Sequence, residues 1–404
     1  MINPLSGSKV ILGVTGSIAC YKAADLASKL TQEGAQVDVI LTQGASNFIT
    51  PLTFRSLTHR PVITDLFDVH SEQAVAHVAM AHSADIIVVA PATAHFIAKL
   101  AHGLADDALT TTILASSAPV AVAPAMDGYM FDNTATQENL GKLRERGVTI
   151  IGPAEGHLAS GLRGMGRLVE VPQIVDTIRA ILGRHGDMEG RSVVVSAGGT
   201  QEPIDPARVI TNRSSGKMGY AVAEAARDRG ARVILITAPT ALPDTAGVEM
   251  RHVTTVAEMR EAVLSACVGA DALIMAAAVS DYRPAQVASQ KIKKEDYGEG
   301  CVLHLVKNAD FFLEVPEGVL RVGFAAESED LLANARKKIT DKGLALIAAN
   351  DITAPDSGFN VDTNRVTILD RDGGMEELPL LSKYDVGHRI LDRVVKLLSP
   401  PAVP

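Results

Sequence analysis

Short, unbroken apolar runs recur along the chain, each closed by small residues and followed by an amphipathic helical pattern. In the first half they are KVILGVTG (9–16), QVDVILT (36–42), DIIVVAPA (85–92), PVAVAPAM (119–126) and VTIIGPA (148–154). Helical stretches such as CYKAADLASKLTQEG (20–34) and NTATQENLGKLRERG (133–147) lie between them. A strand that is apolar at every position is buried on both faces, so helices must cover both sides of a parallel sheet. The pattern restarts at RSVVVSAGGTQEP (191–203). It continues through GYAVAEAARDRGARVILITAP (219–239), ADALIMAAAVSDY (270–282), VLRVGFAAE (319–327) and LALIAAND (344–351). A chain of 404 residues exceeds one ordinary core. The expectation is therefore an α/β protein with two doubly wound parallel-sheet domains, 1–182 and 191–404. The polar, glycine-bearing GRHGDMEG (183–190) reads as the linker. The halves share a fold type but no sequence period, so they are not repeats.

Composition narrows the class. Hydrophobic residues make up 47% and charged residues 21%, a globular balance. A net charge of −9 with no Lys/Arg block argues against a nucleic-acid partner, as do the absence of Trp and 4% aromatics. Cys20, Cys267 and Cys301 are widely spaced and form no CxxC pair, which excludes a disulfide framework or a cysteine zinc site and suits a reducing compartment. The N-terminus lacks a signal-peptide pattern, and no stretch reaches the roughly 18 uncharged apolar residues of a membrane span. The expectation is a cytoplasmic enzyme with neither membrane nor nucleic-acid partners.

In the first half, GVTGSIACYK (13–22) joins the first strand to the first helix. Its glycines admit a ligand close to the backbone, the helix start favours an anion, and Ser17 adds a hydroxyl. The turn is not GxGxxG, and the second strand ends at Thr42 with no acidic ribose ligand, so FMN fits better than a dinucleotide. APATAHFIAKLAHGLADDALTTT (90–112) places Thr93, His95, Asp106 and Asp107 where strand ends build a crevice; taken singly, each is explained by capping or solvation. AVAHVAMAHSADI (74–86) puts His77 and His82 on a helix. GHLASGLRGMGRLVEVP (156–172) is too rich in glycine for a regular element and lies before a better joint, so it reads as a lid, with Arg163 and Arg167 available to an anion.

In the second half, SAGGTQEPIDPARVITNRSSGKMGYAVAEAA (196–226) makes a tight turn at Gly198, Gly199 and Thr200. It then opens a helix with Ser214, Ser215, Gly216 and Lys217, an anion cradle with a cation. The spacing excludes a standard P-loop. AAAVSDYRP (276–284) sets Asp281 just past a strand end, where a carboxylate suits Mg2+ on a triphosphate. QKIKKED (290–296) follows with Lys291, Lys293 and Lys294, candidates for neutralising phosphate.

GSIACYK, the His77 segment, residues 90–112, PAMDGYM (124–130) and LASGLRGMGRL (158–168) together resemble the flavin-dependent cysteine decarboxylases. More narrowly, they resemble the decarboxylase half of the bacterial bifunctional phosphopantothenoylcysteine decarboxylase/phosphopantothenate–cysteine ligases of coenzyme A biosynthesis. The resemblance implies a flavodoxin-like trimer with FMN between subunits. Decarboxylating an ordinary cysteine leaves a carbanion with no electron sink; oxidation by FMN makes a thioaldehyde that accepts those electrons. Gly16, Ser17, Thr42 and Thr93 are implied as FMN contacts, and His77 as the catalytic histidine near flavin and substrate carboxylate. Two further positions implied as catalytic, Asp127 and Ser160, depart from the family pattern. Asp127 stands where many members have Asn, and an ionised Asp repels a substrate carboxylate unless it is protonated, rotated or bonded elsewhere. Ser160 stands where many have the proton-donating Cys, and a hydroxyl is far less acidic than a thiol.

The second half, nearly collinear from Arg191 to Val366, resembles the Rossmann-like ligase half of the same enzymes, on VKNADFF (306–312), VGFAAE (322–327), RKKITDKG (336–343) and AANDITAPDSGFNVDTNRV (348–366). The resemblance implies that CTP activates 4′-phosphopantothenate as an acyl-cytidylate, which the amine of cysteine then attacks. It implies Asn212 and Lys291 as catalytic residues on that intermediate and Asp281 as the Mg2+ ligand. Met275, Ala276, Ala277, Asp281, Lys291, Asp310, Phe311, Phe312, Leu313, Phe324, Lys338 and Lys342 are implied CTP contacts, with Phe311–Phe312 replacing a smaller pair. Ligase dimers with decarboxylase trimers imply a dodecamer. One alternative is an active ligase fused to an impaired or regulatory flavoprotein half. A nicotinamide oxidoreductase is disfavoured because neither half has GxGxxG with an acidic ribose residue.

Overall fold

The computed structural model describes residues 3–66, 76–293, 295, 300, 302–327, 330–351 and 361–399; the side chains of residues 76, 77, 326, 327 and 351 lie outside the description. The chain divides into two compact units, Met1–Leu182 and Gly183–Pro404.

In the first unit the strands are β1 (Lys9–Val14), β2 (Gln36–Leu41), β3 (Val62–Ile63), β4 (Ile86–Ala92), β5 (Val120–Pro124) and β6 (Thr149–Ile150). They pair in the order β3-β2-β1-β4-β5-β6, every neighbour parallel. The apolar runs are continuous because both faces are covered. Val10, Leu12 and Val14 of β1 pack with Leu26 and Leu30 of the helix Cys20–Gln32, while Ile11 packs on the other side with Ile87, Phe96 and Leu109. Each such fully buried aliphatic side chain contributes about 1.5–3 kcal/mol. An antiparallel hairpin follows, β7 (Ala154–His157) with β8 (Arg163–Arg167), and the helix Val171–Leu182 closes the unit.

In the second unit the strands are β9 (Ser192–Ala197), β10 (Gln201–Asp205), β11 (Arg208–Thr211), β12 (Arg232–Thr237), β13 (Glu249–His252) and β14 (Ala272–Met275). After them come β15 (Tyr282–Pro284), β16 (Leu305–Lys307), β17 (Leu320–Glu327), β18 (Leu346–Asp351), β19 (Thr363–Asn364), β20 (Thr367–Asp370), β21 (Met375–Glu377) and β22 (Leu381–Ser382). The main sheet runs β13-β12-β9-β14-β17-β18-β20-β21, parallel from β13 to β18. The last two strands are antiparallel, an edge the sequence does not announce. Small ribbons pair β10 with β11, β15 with β16 and β19 with β22. Val193 and Val195 pack under the helices Lys217–Arg227 and Lys383–Leu398, while Val194 faces the helix Val256–Ala266.

The segment 183–190 packs into the second unit. Met188 is fully buried in its core, Asp187 pairs with Arg229, and Gly183 lies against the backbone of Asp228. No helix among the described residues is long and apolar enough to cross a membrane.

Candidate functional site

In each unit the strand order reverses once, between β1 and β4 and between β9 and β14. At such a point the loops leaving the carboxyl ends of the two strands diverge and open a crevice. The crevice of the first unit holds a cavity; in the second unit the cavity lies one strand further along, beside β14, β17 and β18.

The first cavity, about 580 Å³, is lined by Gly16, Ser17, Thr42 and Thr93, four residues proposed from the sequence as flavin contacts. Thr15 sets its floor: its Oγ1 donates to the Pro91 carbonyl at 2.8 Å and accepts from Thr93 N–H at 3.0 Å, stitching β1 to the end of β4. Gly16 has to be glycine here, because a Cβ would lie 2.8 Å from the Gly44 carbonyl carbon. Thr42 and Thr93 cap the helices that follow, accepting from Ala45 N–H and Phe96 N–H. Ser17 Oγ accepts from Ala19 N–H, and its hydroxyl proton has no acceptor among the described residues.

At the rim, Lys99 pairs with Asp106 at 2.7 Å and Asp107 at 3.1 Å. Burial works against the Lys99 charge, but the two carboxylates outweigh it and hold the ammonium above its usual range. Burial pushes the Asp107 carboxyl up, yet bonds from Thr110 and Lys99 hold it below the usual carboxylate range. Asp107 and Thr110 form a capping box on the helix Ala108–Leu114. His95 also lines the cavity. His77 lies in the helix Ala76–Ser83, but its side chain is outside the described residues.

Asp127 and Ser160 are not among the cavity walls; they meet each other. The Ser160 hydroxyl donates to Asp127 Oδ2 at 2.6 Å, and Asp127 Oδ1 accepts from Tyr129 N–H at 3.1 Å as it caps the helix Gly128–Asp132. The β7–β8 hairpin is thereby fastened to the segment after β5. Met126 N–H also donates to the Gly166 carbonyl at 3.0 Å. Gly166 has φ +133°, and a Cβ there would collide with the Met126 carbonyl oxygen. Arg163 and Arg167 pair within the chain, with Glu155 at 3.6 Å and Glu170 at 2.6 Å.

The second cavity, about 290 Å³, is lined by Met275, Ala277, Asp281, Asp310, Phe311, Phe312, Phe324, Lys338 and Lys342, all expected from the sequence as nucleotide contacts. Lys342 pairs with Asp310 at 2.9 Å and lies 5.6 Å from the centre of the Phe312 ring. Burial raises the Asp310 carboxyl, but Lys342 and the Phe312 N–H hold it below the usual range. Ala276, Leu313 and Lys291 do not line the cavity. Asn212 reaches its edge, donating from Nδ2 to the carbonyl of Val279, a lining residue, at 3.1 Å. Sequence reasoning missed Lys307 and Asn308, although both stand in the motif VKNADFF. Asn308 Nδ2 donates to the Ser280 carbonyl at 2.8 Å and Lys307 adds a cation to the wall. Lys294 falls outside the described residues.

Cofactor fit can be judged from the donor sets. Glycine backbone and a spare serine hydroxyl at a helix start suit a phosphate in the first cavity. In the second, no three His, Cys, Asp or Glu side chains converge among the described residues, so Asp281 suits a metal only when phosphate oxygens supply the remaining ligands.

Residues 3–183 match the Flavoprotein family model, and residues 188–398 match the DNA/pantothenate metabolism flavoprotein C-terminal domain. The coenzyme A biosynthesis bifunctional protein CoaBC of Bacillus subtilis (strain 168) is 47% identical over 399 residues, covering 97% of this chain and 98% of that protein. The protein of the same name from Vibrio parahaemolyticus is 43% identical over 398 residues, covering 98% and 99%. A crystal structure of the C-terminal domain of a coenzyme A biosynthesis bifunctional protein CoaBC is 37% identical with a TM-score of 0.46, covering 53% of this chain and 98% of that one. Near-full-length identity of this size, spanning both units, means that the chain belongs to the family of coenzyme A biosynthesis bifunctional proteins.

Proposed function

We propose that the protein carries out two successive steps of coenzyme A biosynthesis. The second unit ligates 4′-phosphopantothenate to cysteine with CTP, and the first unit decarboxylates the resulting 4′-phosphopantothenoylcysteine to 4′-phosphopantetheine with FMN. One observation carries this reading: within a chain of this family, each unit has a cavity of its own, lined by groups suited to its half of the chemistry.

In the ligase unit the problem is a carboxylate, a poor electrophile of the wrong charge, which must be joined to CTP with loss of pyrophosphate. Lys307, Lys338 and Lys342 concentrate positive charge where a triphosphate has to sit, and Asp281 is the protein ligand for Mg2+ carried on it. Phe311 and Phe312, 3% and 7% exposed, form an apolar wall for the nucleoside. Asn212, tied to the Val279 carbonyl, meets the acyl-cytidylate at the cavity edge, and Lys291 acts from the loop beyond it.

In the decarboxylase unit, FMN when bound supplies the electron sink that a cysteine carbanion lacks. Gly16 and Ser17 hold its phosphate, with Thr42 and Thr93 shaping the walls and His77 acting beside the flavin. The Asp127 carboxylate turns its charge onto Ser160 and Tyr129 N–H, which is how an acid is tolerated near a substrate carboxylate. The hairpin carrying Ser160 is the lid. The working assembly is a homo-oligomer, a dodecamer of decarboxylase trimers and ligase dimers, located in the cytoplasm.

Purified full-length protein is expected to be yellow and to release FMN on denaturation. With 4′-phosphopantothenate, cysteine and CTP it should form pyrophosphate first and CO2 second. A colourless protein, or pyrophosphate release that does not depend on cytidine nucleotide, would overturn the assignment of the corresponding unit.

A further inference from the structure

Lys291 sits on a loop, exposed, with no cavity wall to hold it. Something must set its position if it is to act on an intermediate, and the β10–β11 hairpin supplies the anchors. Ala288 N–H donates to the Ile204 carbonyl at 2.9 Å, fixing the loop three residues before Lys291. Immediately after it, Ile292 is gripped on both sides. Its N–H donates to Asp205 Oδ2 at 3.1 Å, and its carbonyl accepts from Arg208 Nη1 at 3.1 Å. Those two groups belong to the planar peptide units on either side of Ile292, so holding both fixes the Cα atoms of Lys291 and Lys293.

Asp205 is the centre of this clamp. Its side chain is fully buried, and both carboxylate oxygens are occupied: Oδ1 by Ala207 N–H at 2.7 Å and Arg208 N–H at 2.8 Å, Oδ2 by Ile292 N–H and the Arg208 guanidinium. A buried carboxylate is tolerated only when its lone pairs are met in this way. The same hairpin leads from β11 directly into Asn212, and from β10 back to Thr200, whose N–H donates to the Ala278 carbonyl beside the cavity. One small ribbon thus carries Asn212 just past the end of β11 and Lys291 on a clamp.

We propose that Asp205 is a positioning residue for the ligation step: through Ile292 it sets Lys291 relative to Asn212. This rests on the reading of Lys291 as a catalytic group, and the experiment separates the two. Asp205→Asn keeps the shape but has a single acceptor oxygen, so one pair of donors is left facing an amide NH2. In the full chain, Asp205→Asn is expected to lower kcat for CTP-dependent pyrophosphate release by about tenfold or more, with KM for CTP within about twofold. Amide exchange over residues 288–293 should accelerate by more than the loss of global stability accounts for. Added to Lys291→Gln, the substitution should cost nothing further, because the lysine it positions is already gone.

Arg208→Ala removes the other arm of the clamp from a half-exposed side chain and should likewise accelerate exchange at Ile292 and slow turnover. It carries the test if Asp205→Asn does not fold. A crippled Lys291→Gln enzyme with normal turnover in Asp205→Asn overturns the positioning role alone, as does a double variant slower than Lys291→Gln by the full Asp205→Asn factor. Normal turnover in Lys291→Gln overturns the reading of Lys291, and the positioning role with it.

Discussion

At Gly166 two demands coincide, a φ of +133° and a backbone oxygen where any side chain would begin. Gly166→Ala should therefore destabilise hairpin docking by more than about 1 kcal/mol, since it adds strain to a collision. A wild-type unfolding midpoint for the first unit of that variant would refute this. Ser160→Ala is expected to be milder. It removes one exposed hydrogen bond, worth about 1 kcal/mol at most, and leaves the backbone bond from Met126 to Gly166 in place. Its signature is faster amide exchange at residues 158–162 rather than a large shift in melting. Both Asp127 and Ser160 could be flagged from the sequence as departures from the family pattern, but their contact could not. They are 33 residues apart, and neither lies on a periodic element that would predict which residue it meets.

Among the elements, the capping box of the helix Ala108–Leu114 joins stability to the rim of the first cavity. Asp107→Ala should cost about 1 kcal/mol as a lost cap and release one of the two carboxylates holding Lys99. Thermal unfolding and flavin retention, read together, check the two consequences. Beneath the second sheet, burial pushes the Cys267 thiol up from 9.0 to about 11. A raised thiol pKa favours the neutral form in the folded state. Its contribution is complete below pH 9 and is lost as pH rises towards about 11, so second-unit stability should fall across that window and fall less in Cys267→Ala. The central strands were legible because two-sided burial writes itself as unbroken apolar runs, whereas the short edge strands β3 and β13, only partly buried, were not. Nor were the β7–β8 and β10–β11 hairpins. The first is glycine-rich, and β11 is largely exposed, so no apolar pattern marks their pairing. The antiparallel edge of β20 and β21 is likewise only a few residues per strand.

For the whole molecule, each unit has its own core, and residues 183–190 are built into the second. A fragment 183–404 should unfold cooperatively and melt higher than a fragment 191–404, which loses buried Met188 and the Asp187–Arg229 pair. Equal midpoints would show that the segment acts as a passive tether after all. Its polar, glycine-bearing composition read as a linker because burial of one methionine and pairing of one aspartate leave no trace in local sequence. The placement of sulfur has a different consequence. Cys20 and Cys267 are both buried, while the exposed turn between β7 and β8 carries the hydroxyl of Ser160. Peroxide attacks accessible, acidic thiols first, converting them to sulfenic acid and then to mixed disulfides. A serine at that turn offers the oxidant no thiol, which leaves the exposed Met165 thioether of β8 as the sulfur that peroxide can reach in the hairpin.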